Sequence, residues 1–249
     1  MELNSGYVTL PISDGSSMEA YVAWPKGTVA HAGLVVGQEA FGVNAHIRDI
    51  TERFAREGYM AIAPELFHRT GPGFEGRYDD FQSVMPHVSA LRHPQIEADI
   101  RAAHEWLREN GGKELPVAAV GFCMGGMVAF LAGITLPVAA AVSFYGGGIA
   151  ASPQRPGLLD RVNDLRAPVL FFWGGLDKHL GPEVVRAVTD ALGTAKKSFV
   201  NVEISDADHG FFCDARTAYN PAAAAEAWAL VLAFLKTHIA GREENVSAD

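Results

Sequence analysis

The chain opens with two short apolar-rich segments, residues 7–10 and 18–24, on either side of the polar run Ser13-Asp14-Gly15-Ser16. Aspartate, glycine and serine favour a tight turn, so the pair predicts an antiparallel hairpin. The pattern then changes. Residues 33–36, 59–63, 117–121, 139–145, 169–173 and 199–204 are short apolar runs that lack clean alternation. Such runs suit strands buried on both faces of a parallel sheet. Between them apolar positions recur with helical period. Ile47, Ile50 and Phe54 share a face behind Asn44, a predicted N-cap, and Gly58 closes that segment. Residues 94–110 put Ile96, Ile100, Ala103 and Leu107 on one stripe and stop at Asn110-Gly111-Gly112. Residues 182–192 offer Val184, Val185, Val188 and Leu192, and residues 221–238 offer Ala224, Trp228, Val231 and Leu235.

Strands alternating with helices imply right-handed crossovers and an α/β, doubly wound fold. The expectation is a mostly parallel central sheet of about eight strands flanked by helices. No repeat or Pro/Ser-rich linker divides the chain, so residues 1–240 read as one domain and 241–249 as a polar tail. In such folds ligands bind beyond the carboxyl ends of the strands, so the loops after the strands are the ones to search.

Composition narrows the class. The 249 residues are 49% apolar and 20% charged, which is globular. Twenty Lys and Arg against 29 Asp and Glu leave a net charge of −9. With no basic run, the chain is a poor binder of nucleic-acid backbones. Two cysteines exclude a disulfide scaffold or a Cys-cluster metal site and fit a reducing, cytoplasmic setting. The first residues lack the basic and apolar regions of a signal peptide. Residues 115–155 hold no charge before Arg155, but Gly125-Gly126, Pro137, Ser143 and Gly146-Gly147-Gly148 interrupt them. They read as buried strand, turn, helix and strand rather than as a membrane span. The expected partner is therefore a small molecule, not nucleic acid or a membrane; no metal or organic cofactor is called for, and the oligomeric state is not read from the sequence.

The chemistry concentrates at Gly121-Phe122-Cys123-Met124-Gly125-Gly126, where a buried strand runs into an apolar helix. This is the pattern of a nucleophile elbow with cysteine at its tip. The tip residue sits on a strained turn, so its neighbours must be nearly side-chain-free. The helix N-terminus below it favours a thiolate and an oxyanion. A cysteine nucleophile needs a base and an orienting acid. In this arrangement they follow in the order acid, then His. His209, directly after the run 199–204, is the expected base, and Asp177, after the run 169–173, the expected acid. Asp206 and Asp208 compete as acids but suit turn formation; His179 is the alternative base. The loop after the first parallel strand normally gives one oxyanion N–H, so Ala40 and Met124 form the candidate pair. Glu39 is unusual at the end of a buried strand and could face Cys123.

Four motifs taken together, Gln38-Glu39 through Phe41-Gly42-Val43-Asn44, the Cys123 elbow, Gly174-Gly175 with Asp177, and Asp208-His209-Gly210-Phe211, resemble the dienelactone hydrolase family of α/β-hydrolases. The resemblance runs over about residues 6–235. It implies a Cys123-His209-Asp177 triad and a Glu39 that contacts the resting thiol and helps to form the thiolate once substrate binds. It implies opening of a carboxylate-bearing enol lactone, dienelactone, to maleylacetate through a thioester. The carboxylate calls for arginine, whose planar fork binds it bidentately. Arg216 is one candidate and Arg77 the other, with Arg69 and Arg92 competing in a possible lid over residues 69–94. Three other readings stay open: an esterase or lactonase for another small ester, a thiol-redox protein using Cys123 and Cys213, and a non-catalytic binding protein on the same scaffold.

Overall fold

The hairpin at the start forms, and it is longer than its apolar runs indicate. In the computed structural model, which describes residues 1–152 and 156–246 with side chains to Ala240, β1 (Leu3–Pro11) pairs antiparallel with β2 (Ser17–Pro25) along its whole length. One side of β1 faces water, and its polar outward residues hide the strand from an apolar scan. In the turn, Asp14 Oδ1 accepts the Ser16 N–H at 3.0 Å and Gly15 takes φ +86°.

The chain divides into two units, Met1–Ala118 and Ala119–Asp249. In the first, β2 pairs antiparallel with β4 (Tyr59–Pro64), and β4 pairs parallel with β3 (Ala32–Gly37), giving the order β1-β2-β4-β3. Helices α1 (Ala45–Arg56) and α3 (His93–Gly111) pack on these strands. The predicted stripes Ile47-Ile50-Phe54 and Ile96-Ile100-Ala103-Leu107 are buried. Asn44 caps α1 by accepting the Ile47 N–H at 3.2 Å, and Gly58 follows the helix at φ +96°. Helix α2 (Phe81–Ala90) lies within the segment expected as a lid and was not predicted as helix. It buries only Val84 and Val88 and carries Pro86, so it lacks a full stripe; Asp80 caps it.

The second unit contains the last four residues of β5 (Val117–Phe122), then β6 (Ala141–Phe144), β7 (Val169–Gly174) and β8 (Phe199–Ile204), paired parallel in chain order. Helices α4 (Met124–Thr135), α5 (Pro182–Thr194) and α6 (Pro221–Val246) intervene or follow, with a short 3-10 turn at Leu159–Asp164. β6 ends earlier than its apolar run because Tyr145 turns to φ +37°. The eight expected strands are present, six of them in the predicted parallel-type runs, with helices between them. Pro221–Ala240 of α6 is long and apolar enough to cross a membrane by length and composition alone. A core helix passes the same test, and Ala227, Val231 and Leu235 are buried here. The predicted polar tail, 241–249, lies outside the residues whose side chains are described.

One buried charge ties the first unit together. Asp99 of α3 is fully buried and accepts both terminal nitrogens of Arg69, at 2.8 and 2.9 Å. His68 Nε2 lies 3.2 Å from the same carboxylate, and Arg69 Nε reaches Asp14 at 2.8 Å. Helix, hairpin turn and the loop after β4 thus share one ion network. Removing one member of a buried pair strands the other charge. Asp99→Ala should therefore lower unfolding free energy by about 3–5 kcal/mol in urea titration. Arg77→Ala breaks only the exposed pair with Asp79 and should leave the midpoint unchanged.

Candidate active site

The second unit builds the elbow from backbone constraints. Cys123 sits between β5 and α4 at φ +55° and ψ −120°, a region that residues with a Cβ avoid. Its N–H donates to Phe144 O at 3.0 Å, and Gly126 N–H donates back to Cys123 O at 2.9 Å. A Cβ on Gly121 would stand 1.8 Å from Gly125 O, so the turn can close only over glycine there. On Gly126 it would meet Gly146 Cα and Ser143 Oγ, both at 2.6 Å. Ser143 Oγ is buried with no hydrogen-bond partner among the described residues, and its small volume fills the gap between Gly126 and Gly146. Cys123 is a free cysteine and is only partly buried.

His209 lies in the loop between β8 and α6, and Asp177 in the loop after β7. His209 Nδ1 is 2.7 Å from Asp177 Oδ2. The same imidazole hydrogen-bonds the Cys123 side chain. The other oxygen of Asp177, Oδ1, accepts the backbone N–H groups of His179 at 2.7 Å and Leu180 at 3.1 Å. One oxygen is thus held by the chain and the other aims at the ring. Burial works against the charged form of His209, but the bonds to Asp177 and Cys123 outweigh it and push its pKa up to about 10. Burial likewise opposes ionised Asp177, and the bonds from His209, His179 and Leu180 more than offset it, so its pKa is lowered. Asp208 instead accepts the backbone N–H of His209 at 2.7 Å, and Asp206 O accepts the Asn220 side chain at 3.3 Å. Both act in the turn. The exposed His179 ring lies 5.5 Å from that of His209, edge to face.

The remaining candidates are placed as follows. In the first unit, Glu39 and Ala40 are buried in the loop after β3. Arg77 is spent on Asp79, in a pair whose side chains are 77% and 70% exposed. Arg69 is held by Asp99 and Asp14, and Arg92 donates to Ser89 O and Leu91 O. In the second unit, Arg216 lies over the loop of His209: a Cβ on Gly210 would stand 2.3 Å from its Nη1. The sequence reading did not single out Tyr145, whose ring is 5.1 Å from that of His209. Its signal is weak, an aromatic residue before three glycines at the end of β6. Nor did it give a role to the Gln38 side chain, which is fully buried and hydrogen-bonds two backbone groups. A polar residue directly after an apolar strand was the available clue.

Comparison with known proteins gives the family. The model of the Dienelactone hydrolase family matches residues 18–239. The chain belongs to the dienelactone hydrolase family. A relative from Escherichia coli O157:H7, named "Putative carboxymethylenebutenolidase", is 37% identical over 94% of this chain and 87% of its own. One of the same name from Synechocystis is 33% identical over 96% and 99%. Among solved structures, the "Putative Dienelactone Hydrolase" of Klebsiella pneumoniae superposes with a TM-score of 0.86 at 32% identity, over 96% of this chain and 99% of that one. Membership fixes the fold as that of the α/β-hydrolases and the class as a hydrolase of esters or lactones.

The ion pair predicts a pH signature in stability. The raised pKa of His209 gives stability that is complete below its unfolded value of 6.5 and is lost as pH rises through about 10. The lowered pKa of Asp177 gives stability present above 3.8 and lost as pH falls. The gap in melting temperature between wild type and His209→Gln should therefore be widest near about pH 5.5 and narrow towards pH 10. Thermal unfolding followed by circular dichroism checks it; a gap that stays flat over that range would show that the proton is not held there.

Proposed function

We propose that the protein opens small enol lactones bearing a carboxylate, dienelactone to maleylacetate being the type reaction, with Cys123 as nucleophile, His209 as base and Asp177 as its orienting acid. The observation that carries this reading is the imidazole set between the Asp177 carboxylate and the side chain of an elbow cysteine. The thiolate sulfur adds to the lactone carbonyl. The oxyanion is met by the N–H of Met124, at the first turn of α4 where backbone N–H groups have no partner within the helix, and by that of Ala40. Collapse expels the enolate, which leaves with little acid help and then takes the proton held by His209 to become the ketone, so that the imidazole is neutral for the next step. The thioester is hydrolysed by water that gives its proton to His209, while Asp177 holds the tautomer and stabilises the imidazolium. The second carboxylate is released and the thiol is restored. Glu39 is assigned the task of helping to form the thiolate, as the family resemblance implies. None of these steps needs a metal or an organic cofactor. A cytoplasmic site of action accords with two cysteines that are both thiols.

Substrate recognition is the finer question. Arg216, over the loop of the base, is the proposed anchor for the carboxylate. Arg77 is the second candidate, and its pairing with Asp79 favours a second reading, an esterase or lactonase for another small activated ester.

Absorbance loss of trans- and cis-dienelactone, and of a panel of aryl esters, separates these. Wild type should consume the lactones, and Cys123→Ala should lose at least about 10³-fold in kcat. Turnover of aryl esters alone would establish the second reading. Equal rates in both proteins would remove Cys123 as the nucleophile.

A further inference from the structure

Gln38 stands immediately after β3, with its side chain fully buried. The backbone N–H of Leu66, in the loop after β4, donates to its Oε1 at 3.0 Å. A backbone N–H is only a donor, so this bond fixes which end of the amide is oxygen. The Nε2 end is then left to donate to the carbonyl of Glu39, at 3.3 Å. That carbonyl belongs to the peptide joining Glu39 to Ala40. A peptide unit is planar and, in this chain, trans, so its C=O and N–H point in opposite directions within one plane. To hold the Glu39 carbonyl is to aim the Ala40 N–H.

The chain on either side of that peptide is pinned. Upstream, β3 is paired with β4. Downstream, Phe41 O accepts the Gly76 N–H at 3.0 Å, and Gly42, at φ +82°, lies so close to Phe74 that a Cβ would stand 2.0 Å from its carbonyl oxygen. With both flanks pinned, rotation of the Glu39–Ala40 peptide about its own axis is the local change that would redirect the Ala40 N–H, and the Gln38 amide opposes it.

We infer that Gln38 is a positioning residue that keeps the Ala40 N–H turned towards the oxyanion. This rests on the reading above that assigns Ala40 an oxyanion-binding N–H. Gln38 itself touches no reacting atom.

The test uses two variants of the full chain. Gln38→Met keeps the length of the side chain and removes both bonds. Gln38→Glu keeps an acceptor for Leu66; when protonated it can also donate to Glu39, and when ionised it cannot. Three readouts are taken: kcat and KM on whichever lactone or ester wild type turns over in a Cys123-dependent manner, and the rate of inactivation by iodoacetamide. Alkylation uses the thiolate but creates no oxyanion. Gln38→Met should lose about 10–10²-fold in kcat, with KM and the alkylation rate changed by no more than about twofold. The ratio of kcat for Gln38→Glu over Gln38→Met should rise as pH falls. The ratio of alkylation rates for the same two variants should stay flat over that pH range, which separates the effect from any that the new carboxylate has on its neighbours Glu39 and Glu65 or on His209.

A folded Gln38→Met with kcat within about threefold of wild type overturns the inference alone. Equal losses in kcat and alkylation also overturn it, because they mean general damage to the site. Should Gln38→Met fail to fold, Gln38→Glu decides: wild-type turnover at every pH overturns the inference, and a loss confined to high pH supports it. If wild type shows no Cys123-dependent hydrolysis, the reading of the site falls first and the role of Gln38 falls with it.

Discussion

Cys123 occupies a backbone conformation, φ +55°, that costs an L-residue about 1–3 kcal/mol, and much of the second unit is arranged to hold it there. Gly121 lets the carbonyl of Gly125 approach to where a Cβ would be. Gly126, Gly146 and the small Ser143 let α4 settle against β6. The two backbone bonds at Cys123, to Phe144 O and from Gly126 N–H, close the turn at both ends. A strained residue persists only where its surroundings over-determine it, and here four positions must be small at once. In return the thiol stands at the carboxyl end of a central strand and at the N-terminus of a helix, where neighbouring loops can reach it.

The second constraint is electrostatic and depends on the first. An imidazole between a carboxylate and a thiol works only if the carboxylate cannot turn away. Asp177 achieves this by dividing its oxygens, one to the backbone of His179 and Leu180, the other to His209. Burial alone would discharge both groups. Together, the bonds reverse that tendency for each, and the proton settles on the ring. Asp206 and Asp208 are nearer to His209 in sequence, but they serve the turn that presents it. Spacing along the chain and distance in space part company there.

Most of the fold was legible because each element carried its own period. The apolar runs at 33–36, 59–63, 117–121, 169–173 and 199–204 are β3, β4, β5, β7 and β8 to within a residue or two. The Asn44 cap and the stripes of α1 and α3 needed only local rules. What escaped has a physical reason in each case. Helix α2 buries two side chains, too few to make a stripe. The outer part of β1 is polar because it faces water. β6 stops short because Tyr145 leaves the β region, a choice made by packing rather than propensity. At the site, residues on sharp turns, Cys123, Asp177 and His209, announced themselves through glycine spacing and position after strands. Gln38 and Tyr145 did not, since their roles are set by partners distant in the chain.

The arginines show where reading from sequence reaches its limit. Arg69, Arg77 and Arg92 lie within one stretch and offer the same fork to any carboxylate. The fold separates them by what each one already binds. Arg69 is held by the buried Asp99 and could not be released without stranding that charge. Arg92 donates to two carbonyls at the end of α2, and Arg77 pairs with Asp79 in water, where an exchange of partners costs little. Arg216 lies over the backbone of Gly210, the residue after His209. Chemistry at the elbow is dictated by steric rules strict enough to leave a motif in the sequence. Which arginine could still take up a carboxylate depends on which charges are already satisfied, a property of the folded network that no single residue carries.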